Sequence, residues 1–160
     1  MRMRTRTSSL GAATVADAWS HFTSDDLIDL ALSRGLRVMG RPLPDLLNGL
    51  YSDSLHMILL DSTLLEHQKR VALAHELVHA ERHDASCANL FSPVEQATCQ
   101  EAACRLITPG QYAQAEKLYD GNVYEISCEL TVTIKCVRDY QRWLRRHLIH
   151  TNYLNQTVSA

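Results

Sequence analysis

Two histidines, His75 and His79, stand four residues apart in the chain, and Glu76 directly follows the first of them. On a helix, residues four apart lie one turn apart on the same face, so both imidazoles can bind one zinc ion. Glu76 lies about 100° further round the helix, where its carboxylate can accept a proton from water that zinc has acidified. The His-Glu-x-x-His spacing is typical of zinc hydrolases, most often peptidases.

The residues around this motif predict a buried helix over 64–83. Apolar side chains occur almost all the way round it: Val71, Ala72, Leu73, Ala74, Leu77, Val78 and Ala80. A helix that is apolar on every side is buried, and burying two imidazoles and a carboxylate without partners is costly. A metal ion removes that cost, so the context favours a metal site over a surface helix with two histidines.

A catalytic zinc site needs a third protein ligand and one open position. The chain offers four candidates, which are Glu95, Glu101, His83 and Cys99. We favour Glu95, which lies on the apolar face of a helix predicted over 92–107. The alternative role for Glu95 is that of the capping-box glutamate in Ser92-x-x-Glu95.

The other three candidates have simpler explanations. Glu101 is the possible alternative third ligand, but it shares a polar face with Arg105, where an ion pair would account for it. His83 lies about 12 Å along a straight helix from His75, and Cys99 is expected to be a buried, inert thiol. Asp84 is a further candidate, as a residue that supports a ligand from outside the metal's own shell.

The pattern of elements predicts an α+β fold with a small antiparallel sheet. A capping box of Thr63 and Glu66 is expected to start the motif helix, and Ser92 with Pro93 to start the next. Ser24 is expected to cap the first helix. The other predicted helices span 25–34, 111–119, 122–130 and 133–147, and the predicted strands span 36–39, 46–51 and 55–60. The strand over 55–60 is a candidate edge for pairing with an extended substrate, or else plain core sheet.

These elements suggest one domain with appendages. We expect a flexible N-terminal arm over 1–23, a catalytic core over 24–109, a C-terminal helical part of the same domain over 110–150, and a tail over 151–160. The length of 160 residues suits such an arrangement.

Composition limits the cellular setting. No apolar run reaches the roughly 18 residues of a membrane span, and the interrupted apolar stretch after the basic N-terminus does not fit a secretory signal. The five cysteines are odd in number and show no C-x-x-C spacing, which disfavours a disulfide framework. We therefore expect reduced thiols and a cytoplasmic location.

A basic stripe on the last predicted helix gives a rival interpretation. Its members are Lys135, Arg138, Arg142, Arg145 and Arg146, and such a stripe can follow nucleic-acid phosphates. The net charge of −2 instead favours a solvated face that packs through its opposite side. Nucleic-acid binding is thus a second alternative function.

The segments around the motif resemble the ImmA/IrrE family of zinc-dependent peptidases, in its actinobacterial or phage form. The likeness runs from Gly49-x-Tyr51 through Ile58-Leu59-Leu60-Asp61 to the motif helix, and continues at Glu-Ala-Ala-x-Arg-Leu-Ile over 101–107. In many members, a glutamate stands at the position that aligns with Thr98, one turn after Glu95.

The resemblance implies a minimal zincin-like fold and a cytoplasmic enzyme that binds one Zn²⁺. It makes His75 and His79 metal ligands, Glu76 the general base, and a glutamate of the second signature helix the third ligand. The implied substrate is a helix-turn-helix repressor of a mobile element or prophage. An alternative is a catalytically weak member that acts by binding the repressor, against which the intact Glu76 argues.

Overall fold

The computed structural model describes residues 19–44, 47–84 and 92–157, with 148–157 described as backbone only. Within this part the fold is α+β, as predicted, with six helices and one three-stranded sheet. The helices are α1 (Ser24–Ser33), α2 (Glu66–Arg82), α3 (Pro93–Leu106), α4 (Pro109–Leu118), α5 (Val123–Glu129) and α6 (Ile134–Thr157), and the strands are β1 (Arg37–Arg41), β2 (Gly49–Ser52) and β3 (Met57–Asp61). The sequence predicts a loop over 85–91, and these residues lie outside the part of the chain that the structure describes.

The sheet is mixed, so the predicted antiparallel sheet is wrong. Its strand order is β1-β3-β2, in which β3 runs parallel to β1 and antiparallel to β2. The turn over 53–56 joins β2 and β3 as a hairpin, and the hairpin places β3 beside β1 with the same direction. Because β3 is the central strand, it has no open edge for a substrate, and the edges of the described sheet are β1 and β2.

Helix α2 lies at the centre of the molecule. It packs against β2 and β3 on one side and against α1 and α3 on others. Four of its apolar residues, Leu73, Ala74, Leu77 and Val78, are fully buried. This arrangement confirms the buried helix that the apolar pattern predicts, with bounds of Glu66–Arg82 in place of 64–83.

The start of α2 differs from the predicted capping box. The N–H of Thr63 donates to Asp61 Oδ1 at 3.0 Å, ahead of the helix, and the N-cap is Leu65. Glu66 instead accepts hydrogen bonds from the N–H and hydroxyl of Ser24, at 3.0 and 2.8 Å. The carboxylate therefore ties α2 to the start of α1, which is a tertiary contact that spacing along the chain cannot show.

Residues 19–23, assigned to the flexible arm, pack on the core. Trp19 is buried and its N–H donates to the carbonyl of Arg105 at 2.7 Å. The cap of α1 is Thr23, which accepts from the N–H of Asp26, so the cap predicted at Ser24 is one residue late.

One buried arginine holds this segment in place. Arg70, on α2, is 3% exposed and donates to five backbone carbonyls, those of Trp19, Ser20, Phe22, Leu130 and Thr131. These bonds join the start of the described chain to the α5–α6 turn across α2.

Helix α6 continues to Thr157, beyond the predicted end at 147, so the predicted tail over 151–160 is helical through 157. The helix contacts α3 and α5, and Cys136, Val137 and Tyr140 are buried on its inner face. Among the described helices, none is both long and apolar enough to cross a membrane.

Candidate metal centre

Three side chains from two helices converge at one point. His75 and His79 come from α2 and Glu95 comes from α3. Nε2 of His75 lies 3.0 Å from Oε2 of Glu95, Nε2 of His79 lies 3.2 Å from Oε1, and the two Nε2 atoms are 3.1 Å apart. In the described part of the chain this is the one group of His, Cys, Asp and Glu whose ligand atoms come together in this way.

The triangle has the size of a zinc site. Zn–N and Zn–O bonds of about 2.0–2.1 Å in a tetrahedron place neighbouring donor atoms roughly 3.3 Å apart. The observed separations of 3.0–3.2 Å are close to this value. Two imidazoles and one carboxylate are also a ligand set found in catalytic zinc sites, so the residues fit the ion.

The position of the proton on the His79 ring also favours a metal ion in the triangle. Nδ1 of His79 lies 2.7 Å from Oδ1 of Asp84, so a neutral His79 ring keeps its single proton on that side. Its Nε2 then turns a lone pair towards the lone pairs of Glu95. A metal ion at the centre of the triangle would relieve this repulsion by accepting both lone pairs.

The end of α2 places Asp84. His83 adopts the left-handed conformation with φ 53°, which ends the helix. The chain turns back there, and the N–H of Asp84 donates to the carbonyl of His79 at 3.2 Å. The carboxylate of Asp84 thereby reaches the ring of a ligand one turn earlier, and such a partner fixes the tautomer of a metal-binding histidine.

The start of α3 places Glu95. Ser92 is the N-cap, as predicted, and accepts from the N–H of Glu95 at 3.1 Å. The Glu95 side chain is 4% exposed, and its carboxylate contacts both histidines. Thr98 instead accepts from Arg82 at 3.0 Å, so Glu95, rather than Thr98, is the residue of α3 in the cluster.

Glu76 is buried beside the cluster, against the backbone of β2. A Cβ atom added to Gly49 would lie 2.9 Å from Cγ and 3.0 Å from Oε1 of Glu76. The carboxylate is close enough to His75 for its charge to help raise the pKa of that ring. Glu76 therefore lies next to the donor triangle without belonging to it, as a general base requires.

Negative charge dominates the cluster when it holds no cation. Burial opposes protonation of His75, but hydrogen bonds with Cys99 and Glu95 raise its pKa to about 10. Burial alone would likewise raise the pKa of the Cys99 thiol, but hydrogen bonds from His75 and Lys135 lower it. A metal ion that binds His75 would displace this proton, because histidine binds metal in its neutral form.

The structure separates the remaining ligand candidates from the cluster. Glu101 pairs with Arg82 and, at 2.5 Å, with Arg105, as the simpler explanation predicts. His83 is 73% exposed and pairs with Asp53 at 3.0 Å. Cys99 lies at Nδ1 of His75, on the side of the ring away from the other two ligands.

Three side chains of β2 and the end of α2 could stabilise an oxyanion, namely Tyr51, Arg82 and His83. Arg82 is engaged with α3. The hydroxyl of Tyr51 donates to Asp53 at 2.6 Å, where His83 also binds. Burial, with the hydrogen bond to Asp53, raises the pKa of Tyr51 to about 12, so this hydroxyl keeps its proton at neutral pH.

Three residues of the basic stripe on α6 have partners within the protein. Lys135 and Arg142 pair with the buried Asp139 at 2.7 and 2.8 Å, and Arg146 donates to Gln100 at 3.4 Å. These contacts favour a structural role for the stripe over a row of phosphate ligands.

Sequence reasoning missed two features of the site. Gly49 belongs to the family resemblance, but the sequence does not show its role, which comes from a strand backbone lying on Glu76. The contact of Cys99 with Lys135, at 3.1 Å, joins α3 and α6, and only their packing reveals it. No protein-family model matches the chain, and no curated protein and no solved structure is significantly similar to it.

Proposed function

We propose that this protein is a zinc-dependent peptidase. The observation that carries the proposal is the convergence of His75, His79 and Glu95 within 3.2 Å of one another, beside the buried carboxylate of Glu76. The proposal includes a zincin-like fold and the ImmA/IrrE resemblance, which the motif residues and the later Ala-Ala-x-Arg-Leu-Ile segment support.

The zinc ion and the side chains would have different roles in peptide hydrolysis. Zinc, when bound to these three residues, would polarise the scissile carbonyl and lower the pKa of water. Glu76 accepts the proton of the attacking water and passes it to the leaving amine. The close backbone of Gly49 limits the positions open to the Glu76 carboxylate, which keeps the base in place. Asp84 holds the ring of His79 in the tautomer that binds metal.

Strand β2 is the sheet edge next to Glu76. An extended peptide would add to that edge through backbone hydrogen bonds, with its scissile bond near the donor triangle. This assignment replaces β3, which is paired on both sides.

The substrate we propose is a helix-turn-helix transcriptional repressor of a mobile element or prophage, in the cytoplasm. The family resemblance supports this choice. The four cysteines of the described part are unpaired, which suits a reducing compartment.

The test compares the wild type with Glu76→Gln, each incubated with the helix-turn-helix repressor encoded nearest to its gene. The wild type is expected to bind about one zinc and cut the repressor, while Glu76→Gln keeps zinc and loses at least about 100-fold in rate. If the wild type binds zinc and the repressor but does not cut the repressor, the peptidase proposal is wrong and an anti-repressor that acts by binding takes its place. Equal cleavage by both proteins would remove Glu76 from the mechanism.

A further inference from the structure

The back of the His75 ring, away from the donor triangle, has its own partner. Its Nδ1 lies 3.7 Å from Sγ of Cys99. Cys99 stands four residues after Glu95, so one face of α3 supplies both the third ligand and this contact. A histidine that binds metal through Nε2 hands its Nδ1–H to an acceptor, which fixes the tautomer and the plane of the ring.

We infer that Cys99 is a positioning residue that orients His75 for metal binding, and that α6 completes this support through Lys135. The inference rests on the proposed zinc site and assigns Cys99 outside its ligand set. The two histidines would then be oriented by different groups: His79 by the carboxylate of Asp84 and His75 by the sulfur of Cys99.

Lys135 determines where the sulfur lies. Its ammonium donates to Sγ of Cys99 at 3.1 Å and to Oδ2 of Asp139 at 2.7 Å. Asp139 has a buried side chain and also accepts from Arg142. The chain of contacts runs from His75 through Cys99 and Lys135 to Asp139, and it links α2, α3 and α6. The sulfur thus sits between two donors, as an acceptor should.

A small cavity of about 40 Å³ borders these groups, and its lining includes His75, Cys99, Lys135, Cys136 and Asp139. A change of side-chain shape at position 99 therefore meets empty space on one side. Because of this space, Cys99→Val removes the acceptor at similar volume without overfilling the core. Cys136 is a matched control, since it is a buried cysteine of α6 that lines the same cavity and does not belong to the His75–Cys99–Lys135 contacts.

The experiment measures zinc affinity by competition with a chelator for the wild type, Cys99→Val, Cys99→Ser and Cys136→Val. Loss of a residue that orients a ligand costs about 10–100-fold in metal affinity, so this loss is expected for Cys99→Val. Cys99→Ser keeps an acceptor and is expected to recover most of the affinity, and Cys136→Val to stay within about threefold of wild type. Lys135→Met is expected to weaken zinc binding by less than Cys99→Val does, with Arg138→Met as its control.

Two spectroscopic readouts separate positioning from other roles. In the zinc-loaded protein, nitrogen NMR of His75 is expected to show Nδ1–H with Nε2 bound, and the Nδ1–H signal should shift in Cys99→Val but not in Cys136→Val. The cobalt-loaded wild type is expected to lack a sulfur-to-metal charge-transfer band. Such a band would make Cys99 a ligand and overturn the inference.

Failure of the proposed zinc site and failure of the role of Cys99 give different results. A wild type that binds no zinc refutes the proposed function itself. A wild type that binds zinc, with a Cys99→Val variant that is folded by circular dichroism and equal to it in affinity and His75 spectrum, refutes only the role of Cys99. If Cys99→Val does not fold, Cys99→Ala decides, because unchanged zinc affinity and an unchanged Nδ1–H signal in that variant would also refute that role.

Discussion

Gly49→Ala changes the position of Glu76 without touching a metal ligand. The added Cβ would lie 2.9 Å from Cγ of Glu76, whereas ordinary contacts begin near 3.4 Å. Glu76 or β2 must therefore move, by about 0.5 Å if an ordinary contact is to be restored. A displacement of about 1 Å in a catalytic group costs about 100-fold in rate, so we expect kcat/KM to fall by roughly 10- to 100-fold, which equals about 1.4–2.7 kcal/mol in the barrier.

The assay follows cleavage of the helix-turn-helix repressor, alongside zinc content and Tm. Gly40→Ala is the matched control, because it lies in the same sheet and its added Cβ meets no atom closer than Ser62 Cβ at 3.9 Å. Zinc affinity should stay near wild type in both variants. A folded Gly49→Ala protein that cleaves at the wild-type rate would refute the positioning of Glu76 by β2, as would an equal loss in Gly40→Ala.

Three further predictions follow from single contacts. Arg70→Met removes the five hydrogen bonds that the buried guanidinium donates to backbone carbonyls, so the free energy of unfolding in urea should fall by about 3–5 kcal/mol. Exposed Arg138→Met should change it by less than about 0.5 kcal/mol, and an equal effect would contradict the role of Arg70. Hydrogen bonds from Ser24 lower the pKa of Glu66, so its contribution is present above the unfolded-state pKa and lost as pH falls through the folded-state pKa. Glu66→Gln should therefore have a lower Tm than wild type at pH 7, with the gap closing below about pH 4, and a gap that widens in acid would show the opposite sign. Asp84→Asn should weaken zinc binding by about 10–100-fold in a chelator competition, and unchanged affinity would show that His79 needs no such partner.

The sequence predicts the convergence of His75, His79 and Glu95 better than it predicts the sheet. His75 and His79 share a helix, so their spacing alone places them on one face. Glu95 could be chosen because it continues the apolar face of α3, and the structure brings it to both histidines. These inferences use periodicity within one helix, which local geometry controls.

The features that were mispredicted depend on contacts between distant segments. The parallel pairing of β1 with β3 follows from where the β2–β3 hairpin docks, and no residue in Arg37–Arg41 encodes that direction. The spacing of Thr63 and Glu66 fits a capping box, but the Glu66 carboxylate instead accepts hydrogen bonds from Ser24 of α1. The contact of Cys99 with Lys135 could not be predicted either, because Lys135 lies 36 residues later in the chain.

We propose that His75, His79 and Glu95 together hold one zinc ion. The most direct measurement is zinc stoichiometry and affinity of the wild type beside Glu95→Gln and Glu101→Gln, after dialysis against zinc-buffered solution. We predict about one zinc per chain in the wild type, an affinity lowered at least about 100-fold in Glu95→Gln, since even the loss of an orienting partner can cost that much, and near-wild-type binding in Glu101→Gln. A wild type without zinc under zinc-replete conditions, or loss of zinc in Glu101→Gln with retention in Glu95→Gln, would contradict the claim.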